Sequence, residues 1–255
     1  VVACAEAWRG DGAILASPMG VIPALGARLA RQTFAPDLLM TDGEAFLIDE
    51  AGNVEGWLPY RQVFAMVAAG RRHVMMGAAQ IDRFGNQNIS CIGDWARPKA
   101  QLLGVRGAPG NTVNHAVSYW VPRHSRRVFV EHVDMVCGVG YHRGSSGVRD
   151  QGEWGPGAPH AESPSTASQQ SEPDLRVVVT NLAVLDFLTP DHAMRVRSVH
   201  PGVELADVLN ETGFELVVPD DVAVSRAPSA AEFDLIRRLD PDRTRDKEVP
   251  RSTPR

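Results

Sequence analysis

YRQVFAMVAAGRRHVMMGAAQIDRFGNQNISCI, residues 60–92, decides the class of fold. Apolar side chains recur at helical spacing through Tyr60–Ala69, and Gly70 follows where a helix would close. His73–Ala79 is a short, mostly apolar run and reads as a buried strand. Gly85-Asn86 is a turn, and Asn88–Ile92 a further strand. Working outward toward the N-terminus, Ala13–Ala16 is predicted as a buried strand. Val21–Arg31 is predicted as a helix that tolerates Pro23 in its first turn, and Leu38–Met40 as a strand running into a turn at Thr41-Asp42-Gly43. Toward the C-terminus, Val128–Val130, Leu175–Val179 and Met194–Val199 are β-rich, and Val203–Asn210 is a helix closed by Gly213. Ser229-Ala-Ala-Glu232 is a capping box that opens a helix with Phe233, Ile236 and Leu239 on one face. Short buried strands alternating with helices predict an α/β fold with an open, largely parallel sheet flanked by helices. Such sheets take ligands beyond the carboxyl ends of their strands, so the turns that follow strands are where chemistry is expected.

Composition narrows the function classes. The chain has 255 residues, 44% hydrophobic and 22% charged, and 26 basic against 31 acidic residues give a net charge of −5. A basic footprint for phosphate backbones is missing, which argues against nucleic acid as a partner. Apolar runs stay below ten residues, too short for a membrane span. No charged leader precedes an apolar segment. Three scattered cysteines (Cys4, Cys91, Cys137) suit reduced, buried thiols, so a cytoplasmic location is expected. Residues 1–240 read as a single domain. It is interrupted at 143–174 by a Gly-, Ser- and Pro-rich insertion expected to be flexible, and followed by a charged tail at 241–255, frayed or wrapped on a partner.

His115, His124, His132 and His142 form no HxxxH or HExxH pattern, so no metal site is expected. GxSxG, GxGxxG and GxxxxGK[ST] are also missing. Three segments carry candidate chemistry. Thr41-Asp42-Gly43-Glu44 places two carboxylates at a strand end. An extended backbone would turn Asp42 and Glu44 toward one pocket, whereas a turn would spend Asp42 on backbone amides and leave Glu44 solvated. Residues 77–88 crowd Gln80, Asp82, Arg83 and Asn88 into a turn, suited equally to holding a polar ligand or knitting a hairpin. Residues 104–115, GVRGAPGNTVNH, are a glycine loop entering a helix, where backbone N–H groups and the helix dipole suit an oxyanion.

Four stretches give these segments a context: GAAQIDRFGNQNIS (77–90), VRGAPGN (105–111), VTNLAVLDF (179–187) and HPGVELADVLNETGFEL (200–216). In this order they resemble the beta subunits of class I CoA-transferases, especially the glutaconate CoA-transferase-like branch. The resemblance implies the CoA-transferase fold, a partner alpha subunit, an active site at their interface and a CoA thioester as substrate, with no further cofactor. In that family a glutamate nucleophile sits in a Ser-Glu-Asn-Gly-like motif. Here the matching run is Thr41-Asp42-Gly43-Glu44. Asp42 is one methylene shorter than glutamate, a displacement of roughly 1.5 Å that can cost about a hundredfold in rate, and Glu44 comes two residues late.

ARLARQTFAPDLLMTDGEA (27–45), GVRGAPGNTVNHAVSYWV (104–121) and RRVFVEHVDMVCGVGY (126–141) are similar to a narrower group, the two-subunit actinobacterial hydrolases of steroid catabolism. That group lacks the transferase glutamate. The likeness implies water-dependent C–C cleavage in the last ring of a steroid-derived cyclic β-keto-type acyl-CoA, by a complex expected to be α2β2. Such a reaction needs a base for water and donors for a thioester enolate. The implied base is Asp42, Glu44 or a carboxylate of the alpha subunit. Gly107, Ala108, Gly110 and Asn111 are the implied oxyanion donors, and Gln80 and Asn88 the further substrate contacts. Arg83, Arg97, Lys99 and Arg106 are candidates for holding CoA. Two alternatives are a CoA-transferase using Asp42 or Glu44 and a non-catalytic scaffold subunit.

Overall fold

The computed structural model describes residues 1–105, 107–141 and 172–249. In chain order these form α1 (Val2–Glu6), β1 (Leu15–Pro18), α2 (Val21–Arg31), β2 (Leu39–Thr41), β3 (Phe46–Ile48), β4 (Val54–Trp57), α3 (Tyr60–Ala69) and β5 (Arg72–Gly77). The two-residue strands β6 (Gln80–Ile81), β7 (Gln87–Asn88), β8 (Cys91–Ile92) and β9 (Ala100–Gln101) come next, then α4 (Ala108–Asn114) and β10 (Ala116–Val121). After the 143–174 insertion, nearly all of which lies outside the described residues, follow β11 (Asp174–Thr180), β12 (Ala183–Asp186), β13 (Arg195–Val199), α5 (Leu205–Asn210), β14 (Ala223–Val224) and α6 (Ala230–Leu239).

Ten strands make one sheet in the order β14-β13-β12-β11-β10-β5-β1-β2-β3-β4. The five central strands, β11 to β2, are parallel. Antiparallel neighbours extend the sheet on both flanks. This is the open α/β sheet that the alternation of elements predicts. The central strands are mostly apolar because both sheet faces are covered, and every residue of β10 is buried. Alternation along the strands sends Ala16, Met40, Met75 and Trp120 to a core beneath α1, α2 and α6. Val74, Met76, Val117 and Tyr119 face a second core, roofed by α4, α5 and the 80–140 loops.

Helices α2 and α3 run over the residues that periodicity predicts. Several strands differ. The first begins two residues later than expected, at Leu15. The predicted Asn88–Ile92 strand is split into β7 and β8. Val128–Val130 makes only a bridge, Ile81 with Phe129, because the chain there crosses the hairpin instead of joining the sheet. Gly70 ends α3 in an extended conformation (φ −78°), not a left-handed one. The Ser229 capping box is present, but α6 buries Leu235 and Ile236 and leaves Phe233 exposed.

Residues 240–249 pack against this chain's own α2. Gly20, at φ +115°, offers no side-chain cap to that helix. Its cap comes from far along the chain: the Glu248 carboxylate accepts the Val21 and Ile22 N–H groups at 3.2 and 2.7 Å. A side chain at position 20 would strike that carboxylate, with a Cβ only 2.7 Å from Oε1. Removing a helix N-cap typically costs about 1 kcal/mol. Glu248→Ala is therefore expected to lower unfolding free energy by about that amount in urea titrations.

Candidate active site

The turn after β2 does not continue the strand. Gly43 sits at φ +100°, and a Cβ there would lie 2.6 Å from the Pro18 carbonyl oxygen, so the position demands glycine. Asp42 folds over the turn, its Oδ1 accepting the N–H groups of Glu44, Ala45 and Phe46 at 2.9, 3.0 and 3.1 Å. Asp42 and Glu44 are both exposed. The extended geometry that would aim the two carboxylates into one pocket is thus replaced by an aspartate turn, for want of an extended residue between them.

Beneath this turn lies a chain of polar contacts whose middle members, Ser17 and Arg72, no sequence motif marks. The Gly43 N–H donates to Thr41 Oγ1 at 3.1 Å, and Thr41 Oγ1 donates to Ser17 Oγ at 3.2 Å. Ser17 Oγ also accepts Arg72 Nε at 3.0 Å, and Arg72 Nη1 donates to Asn111 Oδ1 at 3.0 Å. Thr41, Ser17, Arg72 and Asn111 are all buried. Two of the predicted segments, 41–44 and 107–111, are therefore joined through Arg72 and Ser17. No described carboxylate pairs with Arg72, and burial draws its guanidinium down to about 10. Burial, aided by the Arg72 charge, also lowers the pKa of His115. The second arginine of Arg71-Arg72, at the start of an apolar strand, was the available signal, and it is a weak one.

Helix α4 follows its N-cap Gly107 and spans seven residues, so its dipole is short. Ala108, a predicted donor, has its N–H committed to the Val105 carbonyl at 3.2 Å, and Pro109 has none to give. Gly110 lies against α3, where a Cβ would meet Val67 Cγ1 at 2.5 Å. In this stretch Asn111 carries a side-chain donor: its Nδ2 touches Met76 Sδ at 4.0 Å.

Gln80 and Asn88 knit the hairpin. Asn88 Nδ2 donates to Gln80 Oε1 and to the Cys91 carbonyl, both at 2.7 Å, while Gln80 Nε2 donates to Asp134 at 2.9 Å. Buried and mutually bonded, both are spent within the β6–β7 hairpin and on Asp134. Arg83 approaches Asp191 at 4.0 Å, Arg97 and Lys99 are exposed, and Arg106 lies outside the described residues. No group of three or more His, Cys, Asp or Glu able to hold a metal ion occurs among the described residues. A Ser-His-Asp contact does occur, with His73 bonded to Asp11 at 2.6 Å and Ser118 at 2.8 Å. His73 and Ser118 are wholly buried next to Trp8, so the set ties the segment after α1, which carries Asp11, to the sheet and is closed to substrate.

Beside the Asp42 turn, β2–β4 and α3 present Leu39, Phe46, Val54, Trp57, Tyr60 and Phe64 to solvent. Helix α3 buries none of its residues. Among the described residues no helix is long and apolar enough to cross a membrane.

This sheet, with its glycine turn after β2 and its loop into α4, is that of the CoA-transferase fold. The crystal structure of glutaconate coenzyme A-transferase from Acidaminococcus fermentans superposes with a TM-score of 0.75 over 95% of this chain and 94% of that one, at 22% identity. No family model matches the sequence. Closer likenesses exist. The cholesterol ring-cleaving hydrolase IpdB subunit of Rhodococcus jostii (strain RHA1) is 48% identical over 255 residues, 97% of this chain and 93% of that protein. The crystal structure of Rhodococcus jostii RHA1 IpdAB matches with a TM-score of 0.83, covering 98% of this chain and 96% of that one. The chain belongs to the family of cholesterol ring-cleaving hydrolase IpdB subunits.

His124, just past the carboxyl end of β10, contacts the Thr180 and Thr212 hydroxyls at 3.1 and 3.0 Å and stacks on Phe129. Burial drives its pKa down from 6.5 to about 3. The unfolded chain then binds a proton that the folded chain refuses, so this stability is present above pH 6.5 and is lost as pH falls toward 3. Between pH 7 and 5 the expected loss from this residue is about 2 kcal/mol. Urea titrations across that range should show a shallower slope for His124→Gln than for the parent chain.

Proposed function

We propose that this chain is the IpdB-type subunit of a two-subunit hydrolase that opens the last ring of a steroid-derived cyclic β-keto-type CoA thioester with water. The observation that carries this reading is the Asp42 turn. A transferase presents a free glutamate at this place. Here the carboxylate is shorter, and one of its oxygens is held by three of its own backbone amides. Hydrolysis needs no covalent glutamyl intermediate, so it tolerates this geometry.

In the reaction, water adds to the ring carbonyl carbon while a base takes its proton. The adjacent C–C bond then breaks. The carbonyl carbon leaves as a carboxylic acid, and the bond's electron pair enters the thioester as an enolate. That enolate carbon takes back a proton, so the product equals substrate plus one water. The base is assigned to Asp42, Glu44 or a carboxylate of the partner, and the enolate donor to Asn111 of the 107–111 stretch. CoA enters as part of the substrate, and no other cofactor is required by this chemistry. The location proposed is cytoplasmic, the assembly α2β2, and residues 1–240 a single CoA-transferase-like unit.

The test is mass spectrometry of a cyclic acyl-CoA panel incubated with the co-expressed two-subunit complex in ¹⁸O-labelled water. The expected product retains CoA and carries the label in a new carboxylate. CoA appearing on an added carboxylic acid, with the exchange abolished by Asp42→Asn, would instead make the complex a transferase.

The apolar face of β2–β4 and α3 supports the need for a partner, since exposed patches of this kind mark protein–protein contacts. Trp57→Ser combined with Phe64→Ser is expected to reduce co-purification of the alpha subunit at least tenfold. Because both side chains are exposed in the isolated chain, its own melting temperature should change little.

A further inference from the structure

The Asn111 carboxamide has one orientation available to it. A guanidinium carries only N–H donors and no lone pair, so the group facing Arg72 must be the amide oxygen. That contact is the 3.0 Å bond from Arg72 Nη1 to Asn111 Oδ1. The amide nitrogen therefore points away from Arg72, and among the described residues its only contact is the weak acceptor Met76 Sδ at 4.0 Å. Arg72 is itself held at a second point, Nε to Ser17 Oγ at 3.0 Å, and Ser17 is tied through Thr41 to the Gly43 N–H of the Asp42 turn.

A cation enclosed in this way without a described counter-carboxylate carries a desolvation cost of several kcal/mol, which an apolar side chain would avoid. Its value to the molecule lies in what it does to its neighbours. Bonding to the amide oxygen polarises the carboxamide and strengthens the remaining N–H as a donor.

We propose that Arg72 is a positioning residue for the ring opening: it locks the Asn111 carboxamide so that the Nδ2 N–H donates to the thioester oxygen on which charge develops as the C–C bond breaks. This rests on the hydrolase reading above. Asn111 touches the reacting oxygen, and Arg72 acts only through it. The electron pair of the broken bond becomes the enolate, whose oxygen Asn111 holds until the carbon is reprotonated. Burial lowers the pKa of Arg72 only to about 10, so the cation persists at neutral pH.

The experiment uses the assembled two-subunit enzyme and a cyclic β-keto-type acyl-CoA that the parent complex opens, reading kcat, KM and melting temperature. Asn111→Asp is nearly isosteric and gains an ion pair with Arg72, so it should fold and assemble. It loses the donor, and kcat should fall about 100-fold or more with KM within about threefold. Arg72→Met should cause a similar fall, and Arg72→Lys should recover part of it. Added to Asn111→Ala, Arg72→Met should cost little more, because both act on one donor. Parent-like kcat in Asn111→Asp, a loss confined to KM, or multiplying losses in the double variant would each overturn the proposal. If Arg72→Met fails to assemble, Asn111→Asp and Arg72→Lys still decide it. A parent complex that opens no ring while transferring CoA would overturn the hydrolase reading instead, a separate and distinguishable result.

Discussion

A guanidinium enclosed by neutral groups can be held only by dipoles, and those dipoles must stay where they are. Arg72 imposes this constraint on the centre of the molecule. Its partners come from different elements: Ser17 from β1 and Asn111 from α4. Through Ser17 it reaches Thr41 at the end of β2. Parallel pairing sets the register that makes the contact possible, with Leu15 opposite both Leu39 and Arg72. A slip of one residue would turn Ser17 to the other sheet face and leave the cation without an acceptor. Arg72, which that register sets beside Ser17, thus also holds the Asn111 carboxamide of α4.

Function follows from which groups this frame leaves available. The two carboxylates at the end of β2 lie on the exposed side of the turn, with one Asp42 oxygen held by backbone amides. The hairpin amides Gln80 and Asn88 are spent on each other. Among the candidate site residues of the 107–111 stretch, Asn111 carries a side-chain donor whose contact is the weak acceptor Met76 Sδ. Such a site is suited to stabilising negative charge and is poorly suited to nucleophilic attack. An adjoining apolar edge, with an α3 that buries nothing, is suited to contact with another chain.

Much of this was legible in the residue pattern. Helices α2 and α3 carry strong 3.6-residue periodicity, and the central strands are short apolar runs bounded by turn residues, so local rules sufficed. The Ser229-x-x-Glu232 box was equally readable, because a cap is a contact three residues long. Strands β3, β4 and β12 carry little alternation and escaped the reading, as did β10, which runs straight out of the α4 loop. At the site, the segments 41–44 and 107–111 were found, but their roles were not. Whether Asp42 faces a pocket or its own turn depends on the backbone at Gly43, where φ is +100° and the close Pro18 carbonyl leaves no room for a Cβ.

By itself the sequence determined the α/β class, the order of its main elements and the places where glycine and polar residues gather after strands. These follow from hydrophobic period and turn chemistry, which act over a few residues. Only the tertiary structure decided which of those polar groups are spent and which remain: Glu248 capping a helix 226 residues away, Gln80 paired with Asn88, and Arg72 joining Ser17 to Asn111. The physical reason is that a buried polar group must find a partner wherever the fold brings one. Distance along the chain carries no information about that choice.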